Sequence, residues 1–261
     1  MPSHAYPTPQ HAAAAQAVVD FFVTRDETDC VLLVNSCARG KATADSCLDI
    51  TVIAQPGLTR DTYAALDNAW QTQYLCGEVY AHLRAVGKFS NVDLDITDGL
   101  FHPSERDWTS GPDEFELVVG NTLAYSVPLW QRNARLAQLK AQWLPYYDEA
   151  LRTTRLADAR KFCLNNLDHI PLYVERGLFF QAFRRLYDAS REFLQALFMA
   201  RRTYPIAYDK WIKEQIVEIL HLPELYPQLT ALLEISHFES HEIAIKGEHL
   251  RKLVERYTRD A

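Results

Sequence analysis

The stretch Asn35-Ser-Cys-Ala-Arg-Gly-Lys-Ala-Thr-Ala-Asp-Ser-Cys-Leu-Asp49-Ile-Thr-Val52 decides how this chain is read. It opens where Cys30–Val34 stops, an apolar, β-branched run that suits a buried strand. A small polar turn containing Ser36 and Gly40 follows. Leu48 to Ala54 then reads as a second strand, with Leu48, Ile50 and Val52 on one face and Asp49 and Thr51 on the other. A turn of this composition can aim backbone N–H groups and the Ser36 hydroxyl at an anion, and Arg39 and Lys41 add positive charge. Asp49, on the adjacent strand, can hold a divalent metal against phosphates gathered there. A phosphate cradle beside a metal-binding carboxylate is the minimum equipment for nucleotide chemistry.

Further along, Asn91 to Thr97 alternates strictly and ends at Asp98-Gly99, a turn signal. Asp93 and Asp95 share one face of that expected strand, about 7 Å apart along it, and repel each other unless a cation lies between them. Either can supply a further carboxylate, and the sequence does not choose. Glu116, on an expected strand over Phe115–Val119, is a weaker candidate. Helices are expected over 10–24 and 59–74, a loose arm over 1–9 and a loop over 100–113. Beyond about residue 130 the texture changes. Gly falls to Gly177 and Gly247, and apolar residues such as Phe179, Phe183, Leu186, Phe193 and Leu197 recur at helical spacing. Pro171, Pro205, Pro223 and Pro227 punctuate what reads as a helical bundle. The expected architecture is α+β: a small mixed-sheet domain over 1–130, then an all-α domain over 131–261.

Composition narrows the function. In 261 residues, Lys plus Arg number 27 and Asp plus Glu 34, a net charge of −7. That balance excludes a dedicated non-specific nucleic-acid binder, which is usually basic. Apolar residues at 48% and charged residues at 23% describe an ordinary folded chain rather than a disordered one. Five cysteines without paired spacing read as free thiols, and no run approaches the ~18 apolar residues of a membrane span. With no secretion signal at the N-terminus, a cytoplasmic address is expected.

The quoted stretch resembles the signature of the polymerase-beta-like nucleotidyltransferase superfamily: a Gly-Ser pair, a short spacer, then Asp-x-Asp on a strand. Here Asn35-Ser36 stands at the Gly-Ser position, residues 37–46 form the spacer, and Cys47-Leu48-Asp49 stands at Asp-x-Asp. Ala38-Arg39-Gly40 and Ser46 are also usual in small bacterial members. The close match spans about 20 residues, and the helical half is similar only in character to the substrate domain of the aminoglycoside-type enzymes. The resemblance implies Mg²⁺ held by Asp49, Asp93 and Asp95, one of the last two doubling as base. It further implies nucleotide binding through Ser36, Arg39, Gly40, Lys41 and Lys210. The reaction would move a nucleoside monophosphate from ATP to a hydroxyl of a small-molecule acceptor, an antibiotic being one class. Two departures matter. Cys47 replaces the first acidic residue, and a thiol is a poor ligand for hard Mg²⁺. Asn35 replaces a flexible glycine, so the turn is expected either to be tighter or to need Asn in a left-handed backbone. A nucleotide-binding protein that has lost its chemistry, or an enzyme that modifies a protein, are the alternatives.

Other features have plainer readings. His237 and His241 stand at metal-ligand spacing on an expected helix, but a solvated face accounts for them better. Arg184, Arg185, Arg201, Arg202, Lys210 and Lys213 form a basic set that an ordinary salt-bridged helix surface also explains. Trp143, Tyr146 and Tyr147 fit aromatic core packing.

Overall fold

The structure is a computed structural model that describes residues 6–104 and 111–259. The chain begins with α1 (Pro9–Val23), whose N-terminus is capped by the Thr8 hydroxyl and carries a proline in the first turn, where no N–H is needed. Then come β1 (Thr28–Leu33), the single turn α2 (Asn35–Ala38) and β2 (Leu48–Ala54). Next are α3 (Arg60–Cys76), α4 (Glu78–Arg84) and β3 (Val92–Thr97). α5 (Phe115–Val119) and a π turn over Gly120–Ala124 lead to β4 (Val127–Gln131) and α6 (Arg135–Trp143). The remainder is helical: α7 (Glu149–Glu175), α8 (Phe179–Ala200), a π turn over Glu214–Ile219, α9 (Tyr226–Leu233) and α10 (Glu242–Tyr257). Among the described residues, no helix is long and apolar enough to cross a membrane. Residues 1–5 of the expected N-terminal arm and 105–110 of the expected loop lie outside the described residues.

Two compact units result. The first runs to Phe101 and resumes over Asn121–Leu144; the second holds His102–Gly120 and everything from Pro145. The first is a mixed four-stranded sheet in the order β3-β2-β1-β4. β1 lies antiparallel to both β2 and β4, while β2 and β3 are parallel and joined by the α3–α4 crossover. Val31, Leu33, Leu48, Ile50 and Val52 share a core with Val18 and Phe22 of α1, Leu66 and Trp70 of α3, and Tyr80 and Leu83 of α4. Helices therefore cover the face opposite the aspartates, as the alternation requires. The expected boundary near 130 falls inside β4, whose pairing with β1 keeps residues 127–131 in the sheet.

The second unit packs α7 against α8 and closes with α9 and α10 around Leu167, Ile170, Leu186, Phe193, Leu197, Leu250 and Val254. The helical spacing read from Phe179 to Leu197 is what α8 buries. Phe115–Val119 is a correction: the segment is helical, not a strand. Phe115, Glu116 and Val119 are buried, which is helical spacing, and a five-residue run is too short for periodicity to separate the two. Glu116 is consequently no part of the sheet's acidic face. Its carboxylate accepts from Arg155 Nε at 2.6 Å, from the Tyr147 hydroxyl at 2.7 Å and from Gln195 Nε2 at 3.0 Å. Asp113 completes the cluster, accepting from Arg155 at 2.7 and 3.1 Å and from Gln195 at 2.8 Å. Both acids and the arginine are buried, so the network ties the 111–119 segment to α7 and α8 by charge-assisted bonds that water does not weaken. Arg155→Met leaves two carboxylates buried without their cation. The expected loss is about 3–5 kcal/mol of unfolding free energy, read from urea denaturation of the full chain; an unchanged midpoint shows that the network contributes nothing.

Candidate functional site

The site is built at the ends of β1 and β2. After Val34, Asn35 turns the chain with φ +54, the left-handed one of the two outcomes expected from the substitution of glycine there, and Gly40 reverses it again at φ +69. Between them Ser36 lies half-buried in the single turn α2, and the Lys41 N–H closes on the Ser36 carbonyl at 2.9 Å. The turn is stitched to β2. The Val34 N–H donates to the Asp49 carbonyl at 3.1 Å, and the Cys37 thiol donates to the Cys47 carbonyl at 3.5 Å. A Cβ at Gly40 would meet nothing within 4 Å, so the turn's outer side is open space. Arg39 is half-buried and Lys41 exposed.

The parallel register then places the acids. Asp49 of β2 is the partner of Asp93 on β3, and Thr51 is the partner of Asp95. Residues aligned in adjacent strands share a face, so Asp49 and Asp93 stand side by side and Asp95 stands one pleat repeat further along the same face. Asp49 is 7% exposed, whereas Asp93 and Asp95 are exposed. Cys47 sits beside them with its thiol donating to Asp49 Oδ1 at 3.0 Å. Burial, then that hydrogen bond and the negative charges of Asp49 and Asp93, push the Cys47 thiol up to about 12. Cys37 is pushed to about 12 by burial and the Asp49 charge. Among the described residues, no three His, Cys, Asp or Glu side chains are gathered closely enough to hold a metal ion. The donor set fits a hard cation through its carboxylates and does not fit one through Cys47, whose protonated sulfur is the wrong ligand.

Several positioning residues carry no sequence signal. His11, fully buried in Ala-rich α1, accepts or donates at Thr8 Oγ1 over 2.7 Å and at the Ser46 carbonyl over 2.9 Å, fixing the end of the spacer loop. Asp45 accepts from the Phe89 N–H at 3.2 Å and Ser90 Oγ donates to the Ala44 carbonyl at 2.7 Å, which docks the same loop on the approach to β3. A lone histidine and a loop aspartate gave no pattern that pointed to these partners, and Thr8 and Pro9, read as part of a loose arm, cap and open α1.

Other candidates lie elsewhere. Lys210 is an exposed residue of the second unit, and its carbonyl accepts from Gln215 Nε2 at 3.0 Å. His237 and His241 are exposed but not on one helix, since the chain bends before α10 and His241 only caps it. Tyr147 is buried in the second unit beside Glu116, as expected of core packing, and Trp143 is buried in the first.

No protein-family model and no curated protein sequence matches the chain. Among solved structures it is similar to a nucleotidyltransferase-like protein from Exiguobacterium sibiricum 255-15, with 15% identity and a TM-score of 0.47 over 93% of this chain and 75% of that one.

The cysteines supply a direct check of the site's electrostatics. Cys76 is exposed, Cys47 is half-buried and Cys37 is buried. Iodoacetamide at pH 8 is expected to alkylate Cys76 first and to leave Cys47 and Cys37 intact by peptide mass spectrometry. Early labelling of Cys47 shows that the carboxylates do not hold its proton. The same shifts act on stability. In the unfolded chain both thiols ionise near their ordinary value of 9.0, in the folded chain near 12. The unfolded state then binds fewer protons, so stability falls as pH rises from 9 towards 12.

Proposed function

We propose that this protein is a nucleotidyltransferase of the polymerase-beta-like kind, which moves a nucleoside monophosphate from ATP to a hydroxyl of a small-molecule acceptor. One observation carries the reading: Asp49 and Asp93 are register partners on parallel strands, next to a polar turn held open by Asn35 and Gly40. Two carboxylates presented together on a sheet face repel, and a divalent cation relieves that repulsion. Asp49 with Asp93, and Asp95 beyond them, would hold Mg²⁺. When bound, that ion neutralises phosphate charge and favours departure of pyrophosphate. The chain's own part is positioning. The Ser36 hydroxyl and the backbone of the 36–41 turn would bind phosphate oxygens, with Arg39 and Lys41 lending positive charge. Asp93 or Asp95 would take the acceptor's proton as its oxygen forms a bond to the α-phosphorus and the bond to the β-phosphate oxygen breaks.

Cys47 favours a second reading, in which ATP is bound but turned over slowly or not at all, because a protonated thiol stands where a carboxylate ligand is usual. Two variants divide the possibilities. Asp49→Asn is expected to weaken Mg²⁺-dependent ATP binding by at least about tenfold, or 1.4 kcal/mol; unchanged binding removes the site. Cys47→Asp is expected to raise Mg²⁺-dependent pyrophosphate release, assayed with a panel of hydroxyl acceptors, by at least about tenfold. Equal turnover in the two proteins shows that position 47 does not limit the reaction.

A further inference from the structure

The second unit contains a cavity of about 210 Å³ between α8, the 204–212 segment and α9. It lies entirely within that unit and is independent of the nucleotide site. The rings of Tyr187, Tyr208 and Tyr226 line it, with Leu194 and Leu229 among the aliphatic walls. The space is somewhat larger than the roughly 150 Å³ apolar cavity that accommodates a benzene ring, so it suits a single ring with a short chain.

The polar atoms around it determine what that chain carries. Ser190 Oγ donates to the Tyr187 carbonyl at 2.7 Å, and Thr230 Oγ1 donates to the Pro227 carbonyl at 3.0 Å, so both hydroxyl protons are used within their own helices. Of the other polar side chains in the lining, Tyr208 and Asp209 bear most on the ligand. Tyr208 is 4% exposed and its hydroxyl has no hydrogen-bond partner. Asp209, exposed at the mouth, has no ion-pair partner among the described residues, although Lys210 and Lys213 follow it closely in sequence. Burial, then the Glu116 carboxylate, Tyr146 and Asp113, raise the Tyr208 hydroxyl well above its ordinary value of 10.0, with Arg155 opposing. Aromatic faces and a carboxylate together favour a cation over an anion or a neutral molecule.

The segment that forms one wall is held in a costly shape. Arg202 and Trp211 bracket it with φ of +48 and +57, conformations that residues other than glycine rarely adopt. Gln215, at the start of the π turn, clasps it from inside: its Oε1 accepts from the Ile206 N–H at 2.7 Å, and its Nε2 donates to the carbonyls of Ala207 at 2.8 Å and Lys210 at 3.0 Å. π turns and left-handed non-glycine residues concentrate at binding sites. Here they fix the backbone that places Tyr208 and Asp209 at the cavity.

We propose that this cavity binds a small monocyclic amine, its ring between Tyr187, Tyr208 and Tyr226 and its ammonium at Asp209. The test uses the full chain with 2-phenylethylamine as probe and 2-phenylethanol as its neutral counterpart, followed by calorimetry and by protection of the Tyr187 and Tyr226 ring signals in NMR. The amine is expected to bind saturably and at least about tenfold more tightly than the alcohol. Asp209→Asn, an exposed change, is expected to remove that preference while leaving the ring contacts. Ser190→Phe is expected to abolish binding of both; should it fail to fold, Leu233→Trp at the exposed rim replaces it. Absence of saturable binding, equal affinity for amine and alcohol, tighter binding of a carboxylate such as 3-phenylpropionate, or insensitivity to both Asp209→Asn and the filling variant each overturns the proposal.

Discussion

The register between β2 and β3 is the constraint on which the first unit's chemistry depends. Side chains alternate with period two, so a slip of one residue would carry Asp49 or Asp93 into the apolar face and expose Leu48 or Val92 instead. Leu48, Ile50 and Val52, packed against α1, α3 and α4, forbid that slip. Once it is forbidden, the two aspartates are forced together. The hydrophobic effect on one face thus fixes which carboxylates neighbour one another on the other.

The second unit handles like charges differently. Asp113 and Glu116 are also brought together, but Arg155 lies between them and Gln195 donates to both. All acceptor atoms of the two carboxylates have partners, and the cluster is buried. Such a network gives the 111–119 segment a unique seat on α7 and α8. An acidic pair with its cation built in, bonded at every oxygen, is structural; Asp93 and Asp95 instead stand exposed on the sheet. That contrast separates Glu116 from Asp93 more firmly than any spacing argument.

The same contrast explains what the sequence could and could not disclose. The strands around Val31 and Ile50, the α8 face and the alternation of 92–97 are legible because burial imposes a period, and so Asp49, Asp93 and Asp95 could be assigned to a face. The left-handed turn at Asn35 was legible as one of two outcomes because few residues other than glycine tolerate it. Phe115–Val119 was misread as a strand because five residues contain a little over one helical turn, and a buried glutamate looks like an exposed one until its arginine, 39 positions away, is known. His11 and Asp45 were silent for the same reason: their partners Ser46 and Phe89 are adjacent only after folding. The 210 Å³ cavity is a property of packing between elements and leaves no mark on any one of them.

Cys47 has the most consequential chemistry of any departure from the nucleotidyltransferase pattern. A carboxylate at that position would set a third negative charge beside Asp49 and Asp93, in a place where burial already penalises charge. The thiol instead contributes a neutral donor, and its hydrogen bond to Asp49 Oδ1 stabilises the carboxylate it adjoins. The substitution therefore moves the balance between two states: it eases the metal-free sheet face and withdraws one hard ligand from the metal-bound one. On the proposed reading, a cation here would lean mainly on Asp49 and Asp93 and would be held more weakly than by three carboxylates, because a neutral thiol stands in the place of the third.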